Sequence, residues 1–144
     1  MISQLTVFIQ NEKGRLASLC RVLSNAGINM QALVIADTAD FGVARIMCDT
    51  PQAAADTLRA AGYRASVTQV LGVQVPNEPG GLASLLEFLD AQDVNIEYGY
   101  CFSAGKDVAV DALKIDLTTG AEVEAQLRAA GFHPVSPEEV YLVG

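Results

Sequence analysis

"NEKGRLASL" occupies Asn11 to Leu19, and "NEPGGLASL" occupies Asn77 to Leu85. Nearly the same nine residues are written twice, each time after an alternating apolar run, at a step of 66 residues (77 − 11). That step also carries Leu5, Val7 and Ile9 onto Leu71, Val73 and Val75, and Asn29 onto Asn95. Farther on, "LRAAGYR" from Leu58 recurs as "LRAAGFH" from Leu127, now 69 residues later (127 − 58). The second copy has therefore gained a few residues in between, near the loop-like "SAGKDV". The chain reads as two copies of one unit, 1–70 and 71–144, meeting near Val70 and Leu71 with no Gly/Ser/Pro-rich linker.

Within copy one, "LTVFI" alternates as a strand does, and Leu16, Leu19, Cys20, Leu23 and Ala26 fall at helical spacing up to a stop at Gly27. "NMQALVIA" and "FGVARIMC" read as two strands joined across the polar "DTAD". Thr50-Pro51 provides a cap and a first-turn proline for a second helix that Gly62 ends, and "YRASVTQV" closes the unit as a strand. Copy two repeats the order, with Thr119 as a cap for "GAEVEAQLRAAG" and "EVYLV" as the closing strand. The order βαββαβ, twice, predicts an α+β fold of two ferredoxin-like units, each an antiparallel sheet with both helices on one face. Tyr98, Tyr100 and Phe102 are expected to face the core, in line with Met30, Ala32, Val34 and Ala36 of copy one.

The composition bounds the function. Of 144 residues 51% are hydrophobic, enough to pack a core, and no run approaches the length of a spanning helix. A soluble, cytoplasmic protein without membrane attachment is the expectation. A net charge of −8 without a Lys/Arg cluster disfavours nucleic acid as a partner. Cys20, Cys48 and Cys101 are odd in number and set in apolar sequence, which fits buried thiols better than disulfides or a metal site. No metal ligand set, cofactor motif or catalytic residue is expected. The sole histidine, His133, reads as a surface residue, and the acidic side chains show no pairing for acid and base work.

Each repeated stretch leaves a strand, turns and enters a helix. At a helix start the backbone N–H groups lack intrahelical partners and the dipole favours negative charge, so a carboxylate is a natural guest. Gly14, Gly80 and Gly81 leave room for a ligand at the main chain, and Asn11 or Asn77 offers both a donor and an acceptor to a zwitterion. The same residues also suit a plain tight turn with asparagine as the helix cap.

"NEPGGLASLLEFLDAQDVNI" from Asn77 to Ile96 resembles the N-x-P-G-x-L-A turn, helix and following strand of the ACT domain, a small-molecule regulatory module of amino-acid metabolism. "NEKGRLASLCRVLSNAGINM" from Asn11 to Met30 matches nearly as well, so the resemblance covers the chain as two tandem ACT domains. It implies a non-catalytic regulatory protein that binds a free amino acid or a related small carboxylate. In the family, the ligand is held between two such domains by this loop and the asparagine opening the second strand. The implied ligand-binding residues are Asn11, Glu12, Lys13, Gly14, Arg15 and Leu16 with Asn29, and Asn77, Glu78, Pro79, Gly80, Gly81 and Leu82 with Asn95. Lys13 stands where the family favours proline, and Arg15 where copy two has Gly81, so the two loops are not equivalent.

The ferredoxin-like architecture also hosts RNA-binding, metal-carrying and acylphosphatase-like proteins. This chain lacks a basic sheet with exposed aromatics and a first-loop CxxC, and Arg15 alone stands in the acylphosphatase loop position. The remaining rival is a ligand-free structural or regulatory partner subunit of a separately encoded metabolic enzyme. A homodimer is expected in either case, because "ALVIA" from Ala32 to Ala36 is apolar on both alternating sides, Leu33 and Ile35 included.

Overall fold

The computed structural model describes residues 1–10, 12–37 and 41–141. The chain forms two compact units, Ser3–Thr68 and Met1–Ile2 together with the chain from Gln69 onward. The first contains strand β1 (Ile2–Gln10, from Ser3), helix α1 (Arg15–Asn25), strands β2 (Met30–Asp37) and β3 (Phe41–Cys48), and helix α2 (Pro51–Ala60). Strand β4 (Arg64–Pro76) gives its first residues to this unit and the rest to the second. The second continues with α3 (Gly81–Ala91), β5 (Tyr98–Ser103), β6 (Val108–Lys114), a 3₁₀ turn at Leu117–Thr119, α4 (Gly120–Ala129), the short β7 (His133–Pro134) and α5 (Pro137–Tyr141). No helix among the described residues is long and apolar enough to cross a membrane.

In the first unit the strands lie in the order β2-β3-β1-β4, and in the second β4 is flanked by β6 and β7, with β5 beyond β6. The pairs whose register is resolved are antiparallel. Alternation in β1 sends Leu5, Val7 and Ile9 to one face, where they meet Leu19 and Leu23 of α1, Ile46 of β3 and Leu58 of α2 in a dry core. Leu71, Val73 and Val75 repeat this against Leu85, Leu89, Leu113, Val123 and Leu127. Burying each such side chain stabilises the fold by about 1.5–3 kcal/mol.

Four expectations need correction. The tail "EVYLV" does not close the second unit as a strand: Glu139, Val140 and Tyr141 belong to α5, and Leu142 and Val143 lie outside the described residues. Ser136 and Glu139 make the reciprocal pair of bonds of a capping box, the Glu139 N–H donating to Ser136 Oγ and the Ser136 N–H to Glu139 Oε1. With Pro137 in the first turn, that box starts a helix. The strand expected from "EVYLV" is instead supplied by His133–Pro134, paired with Gln74 and Val73.

The facing of the second strands is also the reverse of the expected one. A β-bulge between Met30 and Ala32 shifts the register, so Met30 packs against the first core while Leu33 and Ile35 stand opposite the core residues Ile46 and Ala44. One extra residue flips every later side chain to the other face. Ala32, Val34 and Ala36 therefore lie on the face away from the helices. So do Tyr98, Tyr100 and Phe102, which pair with Lys114, Ala112 and Val110. Leu33 and Ile35, on the edge strand of their unit, remain 37% and 42% exposed.

The caps and the thiols account for the rest. Neither Thr50 nor Thr119 caps its helix through its side chain; Asp116 instead accepts from Thr118 N–H and hydroxyl at the 3₁₀ turn. Those bonds hold the Asp116 carboxyl below its ordinary range. All three cysteines are free, but only Cys48 is buried, which pushes its thiol up to about 11, while Cys101 is exposed on β5.

Cys101 stands opposite Asp111, a carboxylate only 2% exposed on β6 whose Oδ2 has no hydrogen-bond partner. Burial pushes the Asp111 carboxyl up to about 6, against a smaller opposing effect of its hydrogen bond with Cys101. Its unfolded value is about 3.9, so the protonated form favours folding, and this contribution is lost as pH rises from about 4 through 6. Replacing Asp111 by Asn is expected to raise stability by about 1–3 kcal/mol at pH 7.5 relative to the unmodified chain. Urea unfolding at pH 7.5 and pH 4 checks this: the gain should shrink toward zero at the lower pH, and an equal gain at both would count against a buried ionised carboxylate.

Candidate functional site

The two repeated loops share a left-handed glycine cap and the turn hydrogen bonds that flank it. Gly14 caps α1 with φ 89° and ψ −11°, and Gly80 caps α3 with φ 88° and ψ −11°. In the first loop Glu12 N–H donates to Gln10 O and Arg15 N–H to Glu12 O; in the second Glu78 N–H donates to Pro76 O and Gly81 N–H to Glu78 O. The left-handed conformation reverses the chain within a few residues, and a side chain there is disfavoured by Cβ contact. Because the cap is glycine in both loops, it offers no side-chain oxygen to the first-turn amides. In the second loop the cap is thus Gly80 and not Asn77, whose N–H donates to Asp107 O.

Each loop borders a groove, and the two grooves correspond. In the first unit Phe8, Gln10, Arg15, Val43, Tyr63 and Arg64 line a groove of about 480 Å³ together with Gly62. In the second, one of about 410 Å³ is lined by Gln74, Pro76, Glu78, Pro79, Gly80, Gly81 and Ser84, and by Gly131, Phe132 and His133. Gln74 and Gly81 repeat the positions of Phe8 and Arg15, and Phe132 and His133 those of Tyr63 and Arg64. Each groove thus runs from the glycine-capped helix start to the exit of the unit's other helix.

The linings differ in chemistry. Arg15 lies over the Tyr63 ring at 4.7 Å, Arg64 over the Phe8 ring at 5.7 Å, and the Tyr63 hydroxyl is 2.7 Å from Ser18 Oγ, to which it donates. In the second groove His133 shares a hydrogen bond with Glu139, whose carboxyl is held below its ordinary range first by that bond and then by the Ser136 N–H.

Among the residues expected from the sequence, Arg15, Glu78, Pro79, Gly80 and Gly81 line the grooves. Glu12, Lys13 and Gly14 form the exposed first loop without lining its groove, Leu16 packs against the first core, Asn77 and Leu82 are exposed, and Asn11 lies outside the described residues. Asn29 and Asn95 are exposed at the far ends of α1 and α3 from the loops. An 11-residue helix is about 16 Å long, so one small ligand cannot touch the loop and the asparagine of the same unit. Asn95 instead borders a separate cleft of about 720 Å³ with Glu97, Lys114, Asp116 and Thr119. Tyr63, Arg64, Phe132 and His133 were not anticipated as lining residues, although the repeat "LRAAGYR" and "LRAAGFH" places them at matching points.

The family profile of the ACT domain pair matches residues 1–123. The chain belongs to the ACT domain pair family. A solved protein of Bacteroides thetaiotaomicron is similar at 34% identity with a TM-score of 0.88, over 98% of this chain and 96% of its own. The ligand-free regulatory subunit of aspartate kinase from Thermus thermophilus is 15% identical, with a TM-score of 0.66 over 90% of this chain and 92% of that one. The corresponding subunit from Thermus flavus is 16% identical, with a TM-score of 0.62 over 89% and 91%. At those identities the two subunits share the fold. No curated protein matches the sequence, and no catalytic family is indicated.

The loop geometry of this ACT pair sets a stability test. A Cβ on Gly81 would lie 2.2 Å from the Pro76 carbonyl oxygen, a backbone atom, whereas a Cβ on Gly80 meets nothing within 4 Å and suffers only from its positive φ. Gly80→Ala is expected to cost about 1–3 kcal/mol and Gly81→Ala more, measured by urea unfolding. Equal, small losses would contradict the close loop described above.

Proposed function

We propose that this ACT pair is a non-catalytic regulatory protein that binds a free amino acid or a closely related small carboxylate at its two glycine-capped loops. The observation that carries the reading is the left-handed glycine cap shared by the loops, φ near +89° and +88°, each beside a groove. Main-chain donors and the positive end of the helix dipole favour a carboxylate there, and the described residues contain no group of side chains suited to hold a metal. The ACT family to which the chain belongs, and the regulatory aspartate kinase subunits that share its fold, support a sensing role over a catalytic one.

Within one unit the strand-opening asparagines Asn29 and Asn95 stand a helix length from the loop and take no part in its site. A homodimer is the proposed assembly, supported by the exposure of Leu33 and Ile35 on an edge strand. A receiving enzyme, encoded separately, is the proposed downstream partner.

Calorimetry with the twenty amino acids and their oxo and hydroxy acid analogues, at a protein concentration where light scattering reads a dimer mass, tests the reading. At least one ligand is expected to release heat and to raise the melting temperature, since 100 times its dissociation constant stabilises the native state by about 2.7 kcal/mol. No heat from any of them with folded protein would transfer the assignment to a ligand-free partner subunit.

A further inference from the structure

We infer that the groove of the first unit takes a small dicarboxylate, an amino or oxo diacid with a short carbon chain, whereas the groove of the second unit does not. This rests on the amino-acid-binding reading above and names the ligand class for one of its two sites. Arg15 and Arg64 both line the first groove, and neither has a carboxylate partner among the described residues. Each guanidinium spends its flat face on an aromatic ring, Arg15 on Tyr63 and Arg64 on Phe8. Its hydrogen-bonding edge is thereby left for a planar anion, which a guanidinium grips through two parallel N–H donors.

Arg15 supplies a second, independent sign. Its Nε is enclosed and makes no hydrogen bond, a state that native proteins seldom leave unanswered. A carboxylate along the Nε edge provides the missing acceptor, and it does so at the first residue of α1, where the helix dipole adds to the attraction. Arg64, where β4 begins, receives the second carboxylate, and the rings of Tyr63 and Phe8 flank the carbon chain between them. Gln10 offers both a donor and an acceptor to an ammonium or oxo group.

The second groove has lost both cations. Gly81 stands at the Arg15 position, and a side chain there would strike the Pro76 carbonyl; His133 stands at the Arg64 position and is already bonded to Glu139. The two halves of the pair therefore read different ligands, and the difference lies in two residues.

The test is calorimetry of the full chain with aspartate, glutamate and their 2-oxo diacids, beside asparagine and glutamine, which differ only by an uncharged amide, and inorganic phosphate. The expected result is that at least one diacid binds about tenfold or more tighter than its amide and than phosphate, and that Arg64→Gln and Arg15→Gln each abolish that preference. Arg64 is exposed, so its variant is expected to fold even if Arg15→Gln perturbs the packing on Tyr63; melting curves of both verify this. Equal affinity for diacid and amide, or for diacid and phosphate, overturns the inference, as does a preference that survives Arg64→Gln in folded protein. Binding of monocarboxylic amino acids without diacids overturns this inference alone, whereas binding of neither also removes the reading on which it rests.

Discussion

Gly14 and Gly80 hold φ at +89° and +88°, and the left-handed backbone at these two positions governs what the rest of each unit can do. Turning from β1 into α1, and from β4 into α3, within a handful of residues places the helix directly over the strand that precedes it. Leu19 and Leu23 then meet Leu5 and Val7, and Leu85 and Leu89 meet Leu71 and Val73. A residue with a side chain at the cap would resist that backbone, and a longer turn would move the helix off its core. The same constraint keeps side chains away from the amides of the first helical turn. The packing of each helix and the absence of a capping side chain at its start thus come from one conformational requirement.

What distinguishes the two units is placed around this common loop. The helix exits return the chain to the loop's side at Gly62-Tyr63-Arg64 and Gly131-Phe132-His133, so whatever follows the exit glycine faces the groove. An aromatic ring is kept at both, buried at Tyr63, where it anchors α1 through Ser18, and half-buried at Phe132, whose ring lies 5.4 Å from that of Phe88. The next residue is free to differ. Arginine in one unit and a carboxylate-bound histidine in the other give two electrostatic environments on a shared frame.

The repeat was readable because the loop needs particular residues: glycine for the backbone, leucine five and nine positions on for the core. The duplicated order of elements followed from it. The facing of β2 was not readable, because the bulge after Met30 leaves no mark in a run of apolar residues and yet reverses every face beyond it. The start of α5 did leave a mark, Ser136-Pro137 with Glu139, which the alternation of "EVYLV" outweighed. The grooves were half readable. Gly80, Gly81 and Arg15 announce themselves by motif, but Arg64 is 49 residues from Arg15 (64 − 15) and joins it only through the crossing of α1, α2 and β4. The loop and the following asparagine are close in the motif and a helix length apart in space.

The most direct measurement is an amide-resolved nuclear magnetic resonance titration of the folded chain with an amino acid or diacid that binds. If the glycine-capped helix starts receive the carboxylate, the largest shifts fall on amides of residues 14–18, 80–84, or both, with smaller ones at Tyr63, Arg64, Phe132 and His133. If the shifts instead concentrate at Asn95, Asp116 and Thr119, or leave both helix starts unmoved at saturation, the loops are structural turns and the ligand site lies elsewhere.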